Sequence, residues 1–306
     1  MKTITLQYPG TQELSFNVYR TNLHTHTTTS DGKITPQEIL DLYAAAGYDA
    51  ISLTDHGKHN DLAALDPHGM TLIPGMELHP RGPRNIKWHL LALNITREIP
   101  EGIPDDAQET IDLVNRIGGF TVVAHPYWCG FTSAEVMTLK NFSAIEVSNS
   151  GCRYIGKEFS MQTWDELLDA GMPVMAVSVD DTHRPRDLFR NWTMICAQDN
   201  SCEALTAALK AGNFYSTQGP QFKKISFDGN TFEAEFTPCI SAVLIGRRNC
   251  GRLGMVPDFE GPGTGEAVTS IKIELSDLPR DTYLRCQLVD QNGKMAWSQP
   301  FRFPQQ

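Results

Sequence analysis

The sequence contains no Cys-x-x-Cys pair, and its seven cysteines are odd in number: Cys129, Cys152, Cys196, Cys202, Cys239, Cys250 and Cys286. That excludes a disulfide framework and a zinc ribbon, and fits free thiols in a reducing, cytoplasmic compartment. Long apolar runs are also missing. No stretch approaches the length of a membrane span, and the opening MKTITLQYPGTQ has neither an apolar core nor a small-residue cleavage site, so no membrane association or secretion is expected. Positive charge is in deficit, with 26 Lys and Arg against 36 Asp and Glu and a formal net charge of −10. A surface of that sign repels a nucleic acid backbone, so extended nucleic acid binding is not expected. Small phosphorylated molecules are not excluded, because bound metal ions can reverse the field inside a pocket.

What is present suits a soluble globular protein. The 306 residues, 41% of them hydrophobic, allow one large domain or a large and a small one. From about residue 16 to 215, short apolar runs alternate with helical patterns, the signature of βα units and a parallel sheet. Strands are expected at Phe16 to Leu23, Ala50 to Leu53, Thr71 to Ile73, His89 to Leu93, Thr121 to Ala124, Ala144 to Val147 and Val174 to Val177. Thr35, Pro36 and Glu38 predict a capped helix start, and Gly47 its end. Further helices are expected at Asp106 to Ile117, Phe159 to Ala170 and Cys202 to Ala211. Past Gly219-Pro220 the style changes to short alternating segments with Asp228-Gly229 and Asn292-Gly293 turns. The chain therefore divides into an α/β domain over 1–220 and a small β-sandwich-like domain over 221–306. The Gly/Pro stretch from Glu260 to Gly265 lacks the lysine of a P-loop and reads as a turn.

The histidines are not scattered. His24-Thr25-His26 ends the first strand, Asp31 follows in a Ser-Asp-Gly turn, and Thr54-Asp55-His56 ends the second. Glu77 follows the third, His89 opens the fourth, His125 closes the fifth, and Asp181-Thr182-His183 comes directly after the last. In parallel β/α barrels, residues at the C-terminal strand ends converge on one mouth. His24 and His26, or Asp181 and His183, share a face if the chain stays extended. Taken singly, His89 or His125 reads more readily as a packed core histidine. Two such pairs with a Thr-Asp-His and a Gly-x-Glu in a βα context are hard to obtain from packing alone.

The motifs LHTHTTTSDGKITPQEIL, ISLTDHG, IPGMELH, HLLAL, VVAHP and DDTH, in this order, resemble the polymerase and histidinol phosphatase (PHP) superfamily. The resemblance covers roughly residues 20 to 185 and extends to FYSTQGP at 214–220. It implies a distorted seven-stranded (β/α) barrel and three divalent metal ions, with zinc, manganese and iron all compatible with the mixed N and O ligands. His24, His26, Glu77 and Asp181 would hold the first ion, Glu77, His89 and His125 the second, and Asp31, His56 and His183 the third. One departure is SVDDTH where family members often read GSDAH. Asp180 therefore competes with Asp181, which is preferred for its spacing to His183.

The implied chemistry is hydrolysis of a small phosphate ester by a metal-bridging hydroxide, with Glu77, Arg184 and Asp55 as candidate catalytic residues. Asp55 and Asp180 are expected to orient ligand imidazoles, with turn formation as the alternative. Arg184, Arg186, Arg153, Arg81 and Arg84 are candidate phosphate contacts, Arg184 the first among them as neighbour of a ligand. Tyr127 and Trp128 could wall the pocket, and His59, His68 and His79 read as structural or rim residues. Two other readings remain open, a metal-dependent hydrolase of a non-phosphate bond and a non-catalytic binding module. The β domain is expected to pack on the barrel or on a partner chain, which leaves a homo-oligomer open.

Overall fold

The structure, a computed structural model, describes residues 2–8, 12–95, 102–255 and 266–304. The Glu260 to Gly265 turn lies outside them. Strand β1 (Thr3–Gln7) runs antiparallel to β2 (Leu14–Asn22). Helix α1 (Pro36–Ala45) starts as its sequence predicts, with Thr35 and Glu38 in a reciprocal capping box. Such a cap contributes about 1 kcal/mol. Ile39, Leu40 and Tyr43 form its buried face, and Gly47 turns the chain at φ 74°. The chain then enters β3 (Ala50–Ile51), parallel to β2.

Next come β4 (Thr71–Leu72), parallel to β3, and β5 (Gly75–Leu78) directly beyond Pro74. A five-stranded sheet runs from β5 through β6 (Leu90–Leu93), β7 (Phe120–Val123) and β8 (Ala144–Asn149) to β9 (Met175–Val179). Here the observed topology differs from an all-parallel sheet, because β5–β6 and β6–β7 are antiparallel and only β7–β8–β9 are parallel. The β5–β6 link holds one short 3-10 turn at Pro83–Asn85 in place of a helix, and without a crossover helix the chain folds back antiparallel. Helices α2 (Ala107–Arg116), α3 (Pro126–Cys129), α4 (Ser133–Val136) and α5 (Met161–Asp169) follow their strands in order. Ile111 and Val114 of α2 and Trp164 and Leu167 of α5 pack in one core with Val123, Ile145 and Val147.

Two isolated pairings join the strand ends. His56 pairs with Glu77, and Thr25 with Thr182, so the segments leaving β2, β3 and β9 and strand β5 meet at one mouth. Strand β10 (Trp192–Ala197) pairs antiparallel with β2 and with β11 (Phe214–Thr217), which follows helix α6 (Cys202–Ala211). The sequence does not signal β10, because WTMICA is buried on both faces past Trp192 and shows no alternation.

Beyond Pro220 every regular element among the described residues is a strand, from β12 (Phe222–Phe227) through β13 (Thr231–Cys239), β14 (Ser241–Gly246), β15 (Gly251–Met255), β16 (Val268–Glu274), β17 (Tyr283–Val289) and β18 (Met295–Ser298) to β19 (Phe301–Arg302). These strands continue the sheet of the preceding segment: β12 pairs with β1, and β18 with β11. Phe227, Phe232, Phe236 and Phe301 share a core with Ile4 and Leu6 of β1. A second tie is polar. The Arg285 side chain on β17 is 1% exposed and donates two hydrogen bonds of 2.7 Å to Asp165 on α5.

Candidate metal centre

Beyond Asn22 the chain stays extended, so His24 and His26 face the same way while Thr25 turns to Thr54 and Thr182. The Nε2 atoms of His24 and His26 lie 2.9 Å apart. Nδ1 of His24 lies 2.6 Å from Glu146 Oε1, and a proton held there leaves the Nε2 lone pair aimed at the mouth. Asp181 Oδ1 lies 3.3 Å from each Nε2, and Glu77 Oε2 lies 3.4 Å from His24 Nε2 and 3.2 Å from His26 Nε2. The other Glu77 oxygen, Oε1, is 2.6 Å from His89 Nδ1 and 3.6 Å from His125 Nε2. Across the mouth, Asp31 Oδ1 stands 3.4 Å from both His56 Nε2 and His183 Nε2. All nine residues named from the sequence thus meet at one mouth, and Glu77 is central to them.

Local backbone chemistry holds the arrangement. His125 and Asp181 sit at φ 27° and φ 50°, a region that costs non-glycine residues about 1–3 kcal/mol each and persists only where the surroundings enforce it. The surroundings do so here: the His125 N–H donates to Glu146 Oε2 at 2.8 Å, and the Asp181 N–H to the His24 carbonyl at 3.0 Å. Gly151 backs Asp181 so closely that a Cβ would come within 2.8 Å of the Asp181 carbonyl oxygen. Residues Asp31, His56, Glu77, His89, His125, Asp181 and His183 line an open cavity of ≈ 300 Å³ together with Trp128, Tyr154, Arg184 and Arg186.

The residues fit cations on two independent grounds. Four ligands about 2.1 Å from one ion are spaced about 3.4 Å apart at the corners of a tetrahedron. The contacts among His24, His26, Glu77 and Asp181 run from 2.9 to 3.4 Å. In addition, Asp181 Oδ1 and His26 Nδ1 are buried with no hydrogen-bond partner among the described residues, while Glu77 Oε2 and His56 Nδ1, 2.9 Å apart, make no aligned hydrogen bond. Each such atom costs about 1–3 kcal/mol unless something compensates it.

The electrostatics point the same way. Burial opposes a proton on His24, yet Asp181, Glu146 and Glu77 outweigh it and raise its pKa well above the usual range. Burial likewise pushes the Glu77 carboxyl up, and His24, His125 and His26 more than reverse this, holding it well below the carboxylate range. Asp181 follows the same pattern, with burial overridden by His24, His26 and His183. These carboxylates require positive charge, and cations between the ligands would supply it.

Asp180 and Asp181 separate clearly. Asp181 faces the histidines. Asp180 is turned into the protein, where it accepts from the N–H groups of Phe189, Arg190 and Asn191 and from the Tyr43 hydroxyl. Burial nonetheless raises its pKa to about 6.

Of the two roles open to Asp55 and Asp180, orienting an imidazole or forming a turn, their hydrogen bonds fit the second. Asp55 accepts from Thr27, Ser30 and Asn60, fastening the turn that carries Asp31. Glu146, which no motif marks, makes the imidazole contact. Its signal was a lone carboxylate inside the apolar run AIEV, where an unpaired charge has no place. Glu146→Gln is expected to weaken metal retention about 10- to 100-fold, the usual effect of losing a partner behind a ligand. Chelator titration with elemental analysis measures it, and unchanged retention would remove Glu146 from the site.

Arg184 is exposed at the cavity rim, as is Arg186, whose guanidinium lies 3.8 Å from the Tyr154 ring. Arg153 is committed to the Ser150 and Arg186 carbonyls. Arg84 pairs with Glu135 and Arg81 with Asp105, so neither of these two is held at the cavity. Trp128 edges onto His125 and His89, while Tyr127 is exposed beside Lys157. His68 bonds Asp41 on the far side of α1, whereas His79 lies within 3.6 Å of Glu77. Cys129 Sγ lies 3.5 Å from His125 Nδ1.

No protein-family model matches the chain, and no curated protein matches it. Among solved structures it is similar to a two-domain protein from Bacteroides vulgatus containing a predicted PHP-like metal-dependent phosphoesterase, at 14% identity and TM-score 0.53 over 98% of each chain. An amidohydrolase from Chromobacterium violaceum, with bound sulfate and no metal, aligns at 18% identity and TM-score 0.43 over 54% of this chain and 88% of its own. The lesion-specific endonuclease EndoQ from Pyrococcus furiosus aligns at 14% identity and TM-score 0.42 over 64% of this chain and 56% of its own. The chain therefore has a mixed α/β fold shared along its length with a two-domain, PHP-like protein, and it carries His, Asp and Glu groups able to hold metal.

Proposed function

We propose that the chain is a metal-dependent hydrolase of small phosphate esters. In this reading residues 1–220 form a distorted seven-stranded (β/α) barrel, residues 221–306 an appended β domain, and three divalent ions (zinc, manganese or iron) occupy the mouth. His24, His26, Glu77 and Asp181 hold the first ion, Glu77 with His89 and His125 the second, and Asp31, His56 and His183 the third. The observation that carries it is the cluster of imidazole and carboxylate groups at one mouth, in which Asp181 Oδ1 and His26 Nδ1 are buried without a hydrogen bond.

Cations bound there supply Lewis acidity and lower the pKa of coordinated water. The chain's own residues do the remaining work. Glu146 keeps His24 turned toward the mouth, and Asp55 holds the turn that presents Asp31. Arg184 grips a phosphate oxygen at the rim, and Trp128 walls the leaving group. A small phosphorylated substrate suits the ≈ 300 Å³ cavity, and the net charge of −10 disfavours extended nucleic acid. No helix among the described residues is long and apolar enough to cross a membrane. Seven free cysteines fit a cytoplasmic setting.

The test is elemental analysis of metal-loaded protein, followed by a screen of nucleotides and sugar phosphates for phosphate release beside a panel for carboxylate release. About three ions per chain and phosphate release are expected. Metal-free protein after careful loading would overturn the reading, and carboxylate release alone would assign a non-phosphate bond. Arg184→Ala should raise KM about 10-fold or more, the effect of one charged hydrogen bond, with kcat and metal content nearly kept. A fall in kcat with KM unchanged would mean that Arg184 acts on the transition state.

A further inference from the structure

We propose that His79 is a metal ligand, the fourth protein ligand of the second position beside Glu77, His89 and His125. The inference rests on the reading of the mouth as a metal centre and adds a residue to it. Glu77 is the third residue of β5, and His79 lies one residue past its end, so the two side chains share a face by the two-residue period of a strand. Nε2 of His79 lies 3.6 Å from Glu77 Oε1, the same separation as His125 Nε2 from that oxygen. Both are close to the ~3.4 Å edge of a tetrahedral site. The ring packs edge-on between two ligand imidazoles, with centroids 4.4 Å from His89 and 4.6 Å from His56.

A histidine kept for packing would use its ring nitrogens on a carbonyl or hydroxyl or, at 21% exposure, on water. His79 makes no side-chain hydrogen bond among the described residues, and Glu77 is its nearest carboxylate. The consequence concerns both affinity and metal choice. Glu77, His89 and His125 would supply three protein ligands and His79 a fourth, so that a coordinated water would enter as a fifth ligand. Three imidazoles and one carboxylate also favour zinc or iron over manganese or magnesium at this position. The second ion is then the most firmly held of the centre.

The full chain, loaded with zinc, is dialysed against graded chelator and its ions counted by elemental analysis. Wild type is compared with His79→Ala, with His79→Gln, which keeps bulk and fold, and with His68→Ala as a control on the far side of α1. Both His79 variants should release one ion at about 10²-fold lower chelator than wild type, at or beyond the upper end of what loss of an outer partner causes. Their cobalt-loaded forms should show a changed visible absorption, since an imidazole has left the coordination sphere. His68→Ala should match wild type in both measurements. Variants that keep every ion to the same chelator concentration, with an unchanged cobalt spectrum, would overturn the inference and leave the metal centre standing. A wild-type chain that takes up no ion would overturn the centre itself.

Discussion

Glu77→Gln is expected to lower turnover by at least ~10²-fold, the scale seen when one key electrostatic group is lost from a site. The reason lies in how its two oxygens divide. Oε1 serves His89 and His125, and Oε2 faces His24, His26 and His56. An amide at this position loses a negative charge and points N–H groups at imidazole nitrogens or cations on one side. Two metal positions should weaken together, where the loss of any other single carboxylate weakens one. Kinetics and metal content measured on the same preparation decide the matter: wild-type turnover with full metal would sink the bridging role of Glu77 and the three-metal reading with it.

The second large effect concerns stability and lies far from the mouth. Asp165→Ala strips the Arg285 guanidinium, 1% exposed and near the Trp164 ring, of both its carboxylate bonds and the Tyr283 hydroxyl of its acceptor. Nη1 of Arg285 already lacks a partner among the described residues, so the variant leaves the guanidinium without either of its carboxylate bonds. Asp165 is itself 30% exposed, so water can replace part of its contribution, and the expected loss is about 1.5–3 kcal/mol, the scale of hydrogen bonds to a charged group. The double variant Asp165→Ala/Arg285→Met should regain most of that loss, since apolar residues of similar volume often replace a buried pair without penalty. Urea unfolding of the three proteins measures both effects. A single variant within about 0.5 kcal/mol of wild type, the range of an ordinary surface substitution, would show that the tie between α5 and β17 carries no stability.

Much of this site could be read from order alone, and the failures have identifiable causes. Thr35-Pro36-x-Glu38 sets a helix start by contacts within four residues, and α1 begins where it says. His24-x-His26 and Asp181-x-His183 depend on the strand period, another local property. Asp55 left two readings open because it is adjacent in sequence to His56, and its oxygens reach back to Thr27 and Ser30. Glu146 lies 122 residues from the imidazole it touches, and no local pattern could connect them. The packing of His79 against His89 depends on the β5–β6 link, which no local pattern shows.

The sequence by itself determined the capped helix starts, many of the strands and the inventory of ligand-capable side chains, because capping, strand period and turn chemistry act over a few residues. It also determined the acidic surface and the change of style at Gly219-Pro220. Only the tertiary structure decided that β5 and β6 return antiparallel, that β12 and β18 extend the same sheet through β1 and β11, and that Asp181 rather than Asp180 faces the histidines. Those outcomes depend on which chain segments meet across tens to hundreds of residues. In the mouth they depend on a left-handed backbone turn at Asp181, which Gly151 leaves room for.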